Sequence, residues 1–182
     1  MNTSKNFLET AISRLKYYKE LGDKCFEQLN EWDFHYQPNE ESNSIAIIIQ
    51  HMAGNMLSRW TNFLTEDGEK EWRTRDAEFE TGKQTKAELI GLWEKGWDCF
   101  LGTLSGLKKK DLKKTVSIRN EPLTVVDAIN RQMAHYPYHV GQIIYIAKII
   151  RSKSWKSLSI PKGGSQAYNS SPDPKDPAKK YQ

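Results

Sequence analysis

His135 and His139 stand four residues apart in the run His135-Tyr136-Pro137-Tyr138-His139-Val140-Gly141-Gln142, inside an apolar stretch with helical spacing. An α-helix turns once in about 3.6 residues, so positions i and i+4 point the same way and two neutral imidazole nitrogens can converge on one ion. A third histidine, His51, closes the strongly apolar segment from Ser44 to Met52. If the two helices are neighbours, three ligands meet and one coordination position stays open, as in catalytic zinc sites. The spacing also fits a plainer role, in which each imidazole is a hydrogen-bonded structural residue. His35, the last of the four histidines, sits between Trp32 and Tyr36 in aperiodic sequence and reads as structural.

Four helices are needed to position these groups. The first runs from near Ser4 to Leu29, with Leu8, Ala11, Ile12, Leu15, Tyr18, Gly22, Cys25 and Phe26 at spacings of three and four. Residues 30–41 form a loop that lays its aromatics against the bundle end. A second helix opens after Ser42-Asn43-Ser44, any of which can cap it, and extends to about Leu64. The β-branched run Ile45 to Ile49 is compatible with a buried strand on propensity alone, but the apolar pattern continues through Trp60 and favours helix.

Residues 66–84 are polar, with Trp72 and Phe79 as isolated anchors, and make an irregular excursion long enough to cover a cleft. Thr85-Lys86-Ala87-Glu88 matches the capping box and starts a third helix. Its glycines, Gly91, Gly96 and Gly102, each cost about 1 kcal/mol relative to alanine in a helix interior, which close packing against a bulky neighbour would explain. A short extended segment and turn around Thr115–Pro122 precede the fourth helix, which starts at a Thr124 cap and loses its pattern near Ser152. Pro137 removes one backbone bond from that helix. It either kinks the helix so that His135 and His139 aim at a common point or is absorbed by a local bulge. Residues 161–182, rich in Pro, Ser, Lys and Asp, read as a flexible, disordered tail behind a bundle spanning 1–160.

The predicted fold class is therefore all-α, a four-helix bundle with long connections, whose sites are assembled from facing helices. On helical wheels Arg131, Gln132, Gln142 and Ile146 lie near the paired histidines, and Asn55 and Ser58 near His51. Gln142 and Asn55 are candidates for orienting an imidazole or a bound water, and Arg131 for attracting a carboxylate. Each also reads as an ordinary solvated or packing residue. Tyr136 and Tyr138 point off this face and read as packing residues, and Gly141 as an allowance for close helix contact.

A chain of 182 residues with 37% hydrophobic and 27% charged residues is an ordinary single domain. Mean hydropathy is negative, no apolar run approaches the roughly 20 residues of a membrane span, and the first residues lack the apolar core of a signal peptide, so a cytoplasmic address is expected. The net charge of +4 comes from local lysine clusters without interleaved aromatics, which argues against nucleic acid as a partner. Cys25 and Cys99 fit no disulfide or thiolate-zinc pattern and are expected reduced.

His135-x-x-x-His139-x-Gly141-Gln142 in the last bundle helix, with His51 in the segment Asn43 to Met52, resembles the DinB-like (YfiT-like) superfamily of metalloenzymes, most closely its members of unassigned function. The resemblance covers the chain from the first helix to about Ile150. It implies a four-helix bundle in which His51, His135 and His139 hold a divalent metal, commonly nickel or zinc with iron as a further option, and water completes the shell. It also implies a homodimer acting on a small molecule. Characterised branches transfer low-molecular-weight thiols such as bacillithiol or mycothiol to electrophiles. Three functions follow as expectations: a metal-dependent thiol transferase or related hydrolase, a non-catalytic metal-binding or stress-related protein, and a metal-free bundle that docks another protein through exposed Trp or Tyr.

Overall fold

A computed structural model describes residues 3–182, so the first two residues assigned to the bundle lie outside it. Four long helices form the body: α1 (Thr3–Phe26), α2 (Ile45–Trp60), α3 (Lys86–Gly106) and α4 (Val125–Arg151). The helix α2 packs chiefly on α3, and α1 on α4. A hairpin of β1 (Thr115–Ile118) and β2 (Glu121–Thr124) leads into α4, and a short α5 (Ser165–Ser170) follows it. The fold is an all-α bundle, and among the described residues no helix is long and apolar enough to cross a membrane.

Local chemistry sets the helix starts. Ser44 Oγ accepts the Ile47 amide at 3.2 Å and Thr124 Oγ1 the Asp127 amide at 3.1 Å. At Thr85 the full capping box forms, the hydroxyl accepting the Glu88 amide while the Glu88 carboxylate accepts the Thr85 amide at 2.7 Å. The α2 helix ends at Trp60, four residues short of expectation, because Asn62 takes a left-handed conformation (φ 52°) that turns the chain. Ile45 through Ile49 are all buried, which explains why that run lacks an amphipathic period: neighbours cover the helix on every side.

The short extended segment is a hairpin whose tip, Arg119-Asn120, has φ of 57° and 62°, as a two-residue turn between right-twisted strands requires. Asp67 clamps that tip by accepting the backbone amides of Arg119 and Asn120 and the Ser117 hydroxyl. Burial would raise its pKa, but these donors hold it well below the usual carboxylate range.

Several packing expectations change in the structure. A Cβ at Gly96 would stand 3.0 Å from Ala53 Cα, so Gly96 does mark the close approach of α3 to α2. Gly91, Gly102 and Gly141 have nothing within 4 Å of a Cβ, and close packing explains none of them. Of the loop aromatics, Phe34 is buried but Trp32 stays 82% exposed, and Trp72 is exposed too, leaving Phe79 as the anchor of its segment. Both cysteines are free thiols; Cys25 is buried, which pushes its thiol up to about 12.

The chain end is more ordered than its composition implies. Besides α5 it forms a 3-10 turn at Pro177–Tyr181 that lies along α1, with Ala178 fully buried. Arg14 grips Asp176 with two bonds of 2.5 and 2.6 Å, and Glu20 accepts from Lys24, Lys180 and the Tyr181 hydroxyl. Local ion pairs, and not a continuous apolar face, hold the segment, which is why hydropathy alone gives a tail. Burial would raise the Glu20 pKa, yet its three donors pull it down to about 2 from an ordinary 4.5. A depressed carboxylate stabilises above its unfolded value and loses that contribution as pH falls through the folded one. Acidification from about 4.5 toward 2 is therefore expected to free residues 177–182, seen as faster amide exchange there, and Glu20→Gln should show the same release at neutral pH.

Candidate metal centre

The bundle brings the three predicted histidines together. His51 comes from the middle of α2 and His135 and His139 from successive turns of α4, which continues through Pro137 as one helix. One nitrogen from each lies within 4.8 Å of the other two. His139 Nε2 is 3.0 Å and His51 Nε2 3.4 Å from His135 Nε2. Nitrogens bound at about 2.1 Å to a common ion stand about 3.4 Å apart at a tetrahedral angle and about 3.0 Å apart at a right angle, so these separations suit shared coordination.

The opposite ring nitrogens fix the tautomers. His51 Nδ1 faces Glu78 Oε2 at 3.0 Å, His135 Nδ1 faces Gln132 Oε1 at 3.1 Å, and His139 Nδ1 faces Gln142 Oε1 at 2.7 Å. All three partners are acceptors, so each Nδ1 carries the proton and donates. In a neutral ring the Nε2 lone pair is then left free, and three of them point into one small space. Burial, reinforced by the neighbouring histidines, lowers His135 to about 3, and burial lowers His139 as well. Protons are thereby kept out of a cluster that presents three electron pairs, and the donor set is compatible with a divalent metal ion.

Of the candidate supporting residues, Gln142 lies where the wheel puts it, bonded to His139 and, through its amide nitrogen, to the Tyr138 hydroxyl at 3.0 Å. Asn55 does not reach an imidazole: its Oδ1 accepts the Tyr136 hydroxyl at 3.0 Å, and that hydroxyl in turn accepts from Trp60 Nε1 at 3.1 Å. Arg131 is exposed beside His135. His35 is structural, bonded to the Gln84 carbonyl at 2.8 Å. Tyr136 is fully buried.

Sequence reasoning passed over Glu78 and Arg73 and gave Gln132 no role. Glu78 reaches His51 from the 66–84 excursion, held by Arg73 through bonds of 2.7 and 2.8 Å. Burial would raise its pKa, but Arg73 and His51 together hold it below the ordinary carboxylate value. The Phe79 ring lies 4.9 Å from that of His51. The excursion thus covers one side of the cluster.

Fold and site define a class: an all-α bundle with a largely buried three-histidine cluster on facing helices. Over residues 2–164 the chain matches the family described as protein of unknown function (DUF1572), and it belongs to that family. No curated protein matches the chain.

Proposed function

We propose that this is a DinB-like metalloprotein in which His51, His135 and His139 hold a divalent ion, nickel or zinc by preference and iron as a further option. Its reaction is transfer of a low-molecular-weight thiol to a small electrophile. The observation that carries the reading is the direction of the six ring nitrogens: three Nδ1 atoms donate outward to fixed oxygens while three Nε2 lone pairs converge. Without a cation that convergence is repulsive; with one it is a ligand set.

An ion held by His51, His135 and His139 would supply Lewis acidity that lowers the pKa of an entering thiol, whose proton would pass to solvent to leave a thiolate at neutral pH. The chain's own residues do the rest. Glu78, Gln132 and Gln142 keep the three rings in the donating orientation. Arg131, exposed at the rim, attracts the carboxylate of a thiol such as bacillithiol or cysteine. The thiolate sulfur then forms a bond to the electrophilic carbon, and that carbon's bond to its leaving group breaks. The protein acts in the cytoplasm as a homodimer.

The test has two stages. Protein purified without an affinity tag is expected to carry near-stoichiometric nickel, zinc or iron by elemental analysis, and to accelerate thioether formation from bacillithiol or cysteine and an alkyl halide. No metal, and no uptake on adding these ions back, rejects the reading. Metal with no transfer on any thiol removes the reaction and leaves a non-catalytic metal-binding protein.

A further inference from the structure

Of the three groups that orient the histidines, two are neutral amides and one is charged. Glu78 is therefore the only partner able to send negative charge toward the cluster, through His51. Its carboxylate is nine-tenths buried and its counter-ion, Arg73, is 2% exposed at the side chain, so little solvent screens the interaction. Its backbone is tied as well: Gln50 Nε2 donates to the carbonyls of Glu78 and Glu80 at 3.2 and 3.3 Å, and Gln84 Nε2 donates to Gln50 Oε1 at 2.6 Å.

The carboxylate reaches His51 only because α2 has no side chain in its way. Gly54 lies three residues after His51, on the same face of the helix. A Cβ there would overlap Glu78 Oε1 and stand 2.7 Å from Cδ. A glycine in an apolar helix interior costs about 1 kcal/mol relative to alanine, and room for this carboxylate is what it provides.

We propose that Gly54 and Glu78 are a positioning pair: Gly54 admits the Glu78 carboxylate to His51 Nδ1, and the carboxylate sets the affinity of the three-histidine cluster for its ion. The proposal rests on the metal-site reading. Loss of a hydrogen-bonding partner behind a histidine ligand typically weakens metal binding about 10- to 100-fold.

The experiment is a zinc titration against a chelating dye, at one pH, on metal-free wild type, Glu78→Ala, Glu78→Gln, Gly54→Ala and the double variant Gly54→Ala/Glu78→Ala. Each single alanine variant is expected to lose about 10- to 100-fold in zinc affinity. The double variant should lose no more than the worse single, because both act through one carboxylate. Glu78→Gln, which keeps an acceptor oxygen for Nδ1, should recover part of the loss. Thermal unfolding of the metal-free proteins runs alongside, so that a variant that does not fold is identified and the remaining ones carry the comparison. Wild-type affinity in Glu78→Ala or Gly54→Ala, or losses that multiply in the double variant, overturns the pair while leaving the histidine site standing. A wild type that binds no zinc defeats the site reading itself, and the pair with it.

Discussion

His135→Ala/His139→Ala is expected to lose bound metal completely and, with it, stabilisation by added zinc. Two of the three proposed ligands leave together, and His51 alone cannot hold an ion against water. For the wild type, linkage gives the size of the effect: an ion present at a thousand times its dissociation constant stabilises the folded state by about 4 kcal/mol. In a domain of this length each kcal/mol moves the melting temperature by about 2–4 °C, so zinc should raise the wild-type midpoint by about 8–16 °C. The double variant should show no rise. Its metal-free stability should fall much less, because removing two imidazoles also removes the repulsion among converging lone pairs. A zinc-dependent rise of wild-type size in the double variant would place the ion elsewhere in the chain. A large loss in the metal-free state alone would make the histidines structural.

The division between what the chain announces and what it conceals follows from range. Thr85 and Glu88 cap a helix three residues apart, and His135 and His139 share a face four apart. Such relations are local, and periodicity reports them directly. His51 joins them because its apolar helix is long enough to require a neighbour. Glu78 is different. It meets His51 across 27 residues of sequence, from a segment with no period, and its approach is decided by Arg73, Gln50 and Gln84, none of which sits at a diagnostic spacing. One local trace existed: Gly54, a glycine inside an apolar helix one turn from a candidate ligand, signals a close approach by something. The docked chain end fails for a related reason, since its attachment is by ion pairs to Arg14 and Glu20 at least 160 residues away. Asn55 shows the limit of a helical wheel, which gives a direction but not a partner. It shares the His51 face of α2 as drawn, yet the Tyr136 hydroxyl takes it and it orients no imidazole.

That last bond leads to the largest stability effect expected from a single atom. Trp60 Nε1 donates to the Tyr136 hydroxyl, which donates to Asn55 Oδ1, and all three residues are buried, with the Tyr136 ring against Trp97 and Phe100. Tyr136→Phe keeps the ring and its packing but leaves an indole N–H and an amide oxygen facing hydrocarbon. Each unsatisfied buried group costs about 1–3 kcal/mol, so a loss of about 2–6 kcal/mol is expected for the two, read as a lower urea midpoint at unchanged slope. The melting temperature should drop by about 4–24 °C at about 2–4 °C per kcal/mol. Zinc affinity should stay near the wild-type value, because the hydroxyl bonds Trp60 and Asn55 and none of the three imidazoles, and phenylalanine keeps the ring that lies 5.4 Å from that of His135. Wild-type stability in this variant would mean that the chain Trp60 to Tyr136 to Asn55 contributes nothing net. A drop in zinc affinity as large as that of Glu78→Ala would mean that the aromatic core positions the histidines. The two variants thus separate the groups that hold the bundle from those that tune its cluster: Tyr136 should move the unfolding midpoint alone, Glu78 chiefly the metal affinity.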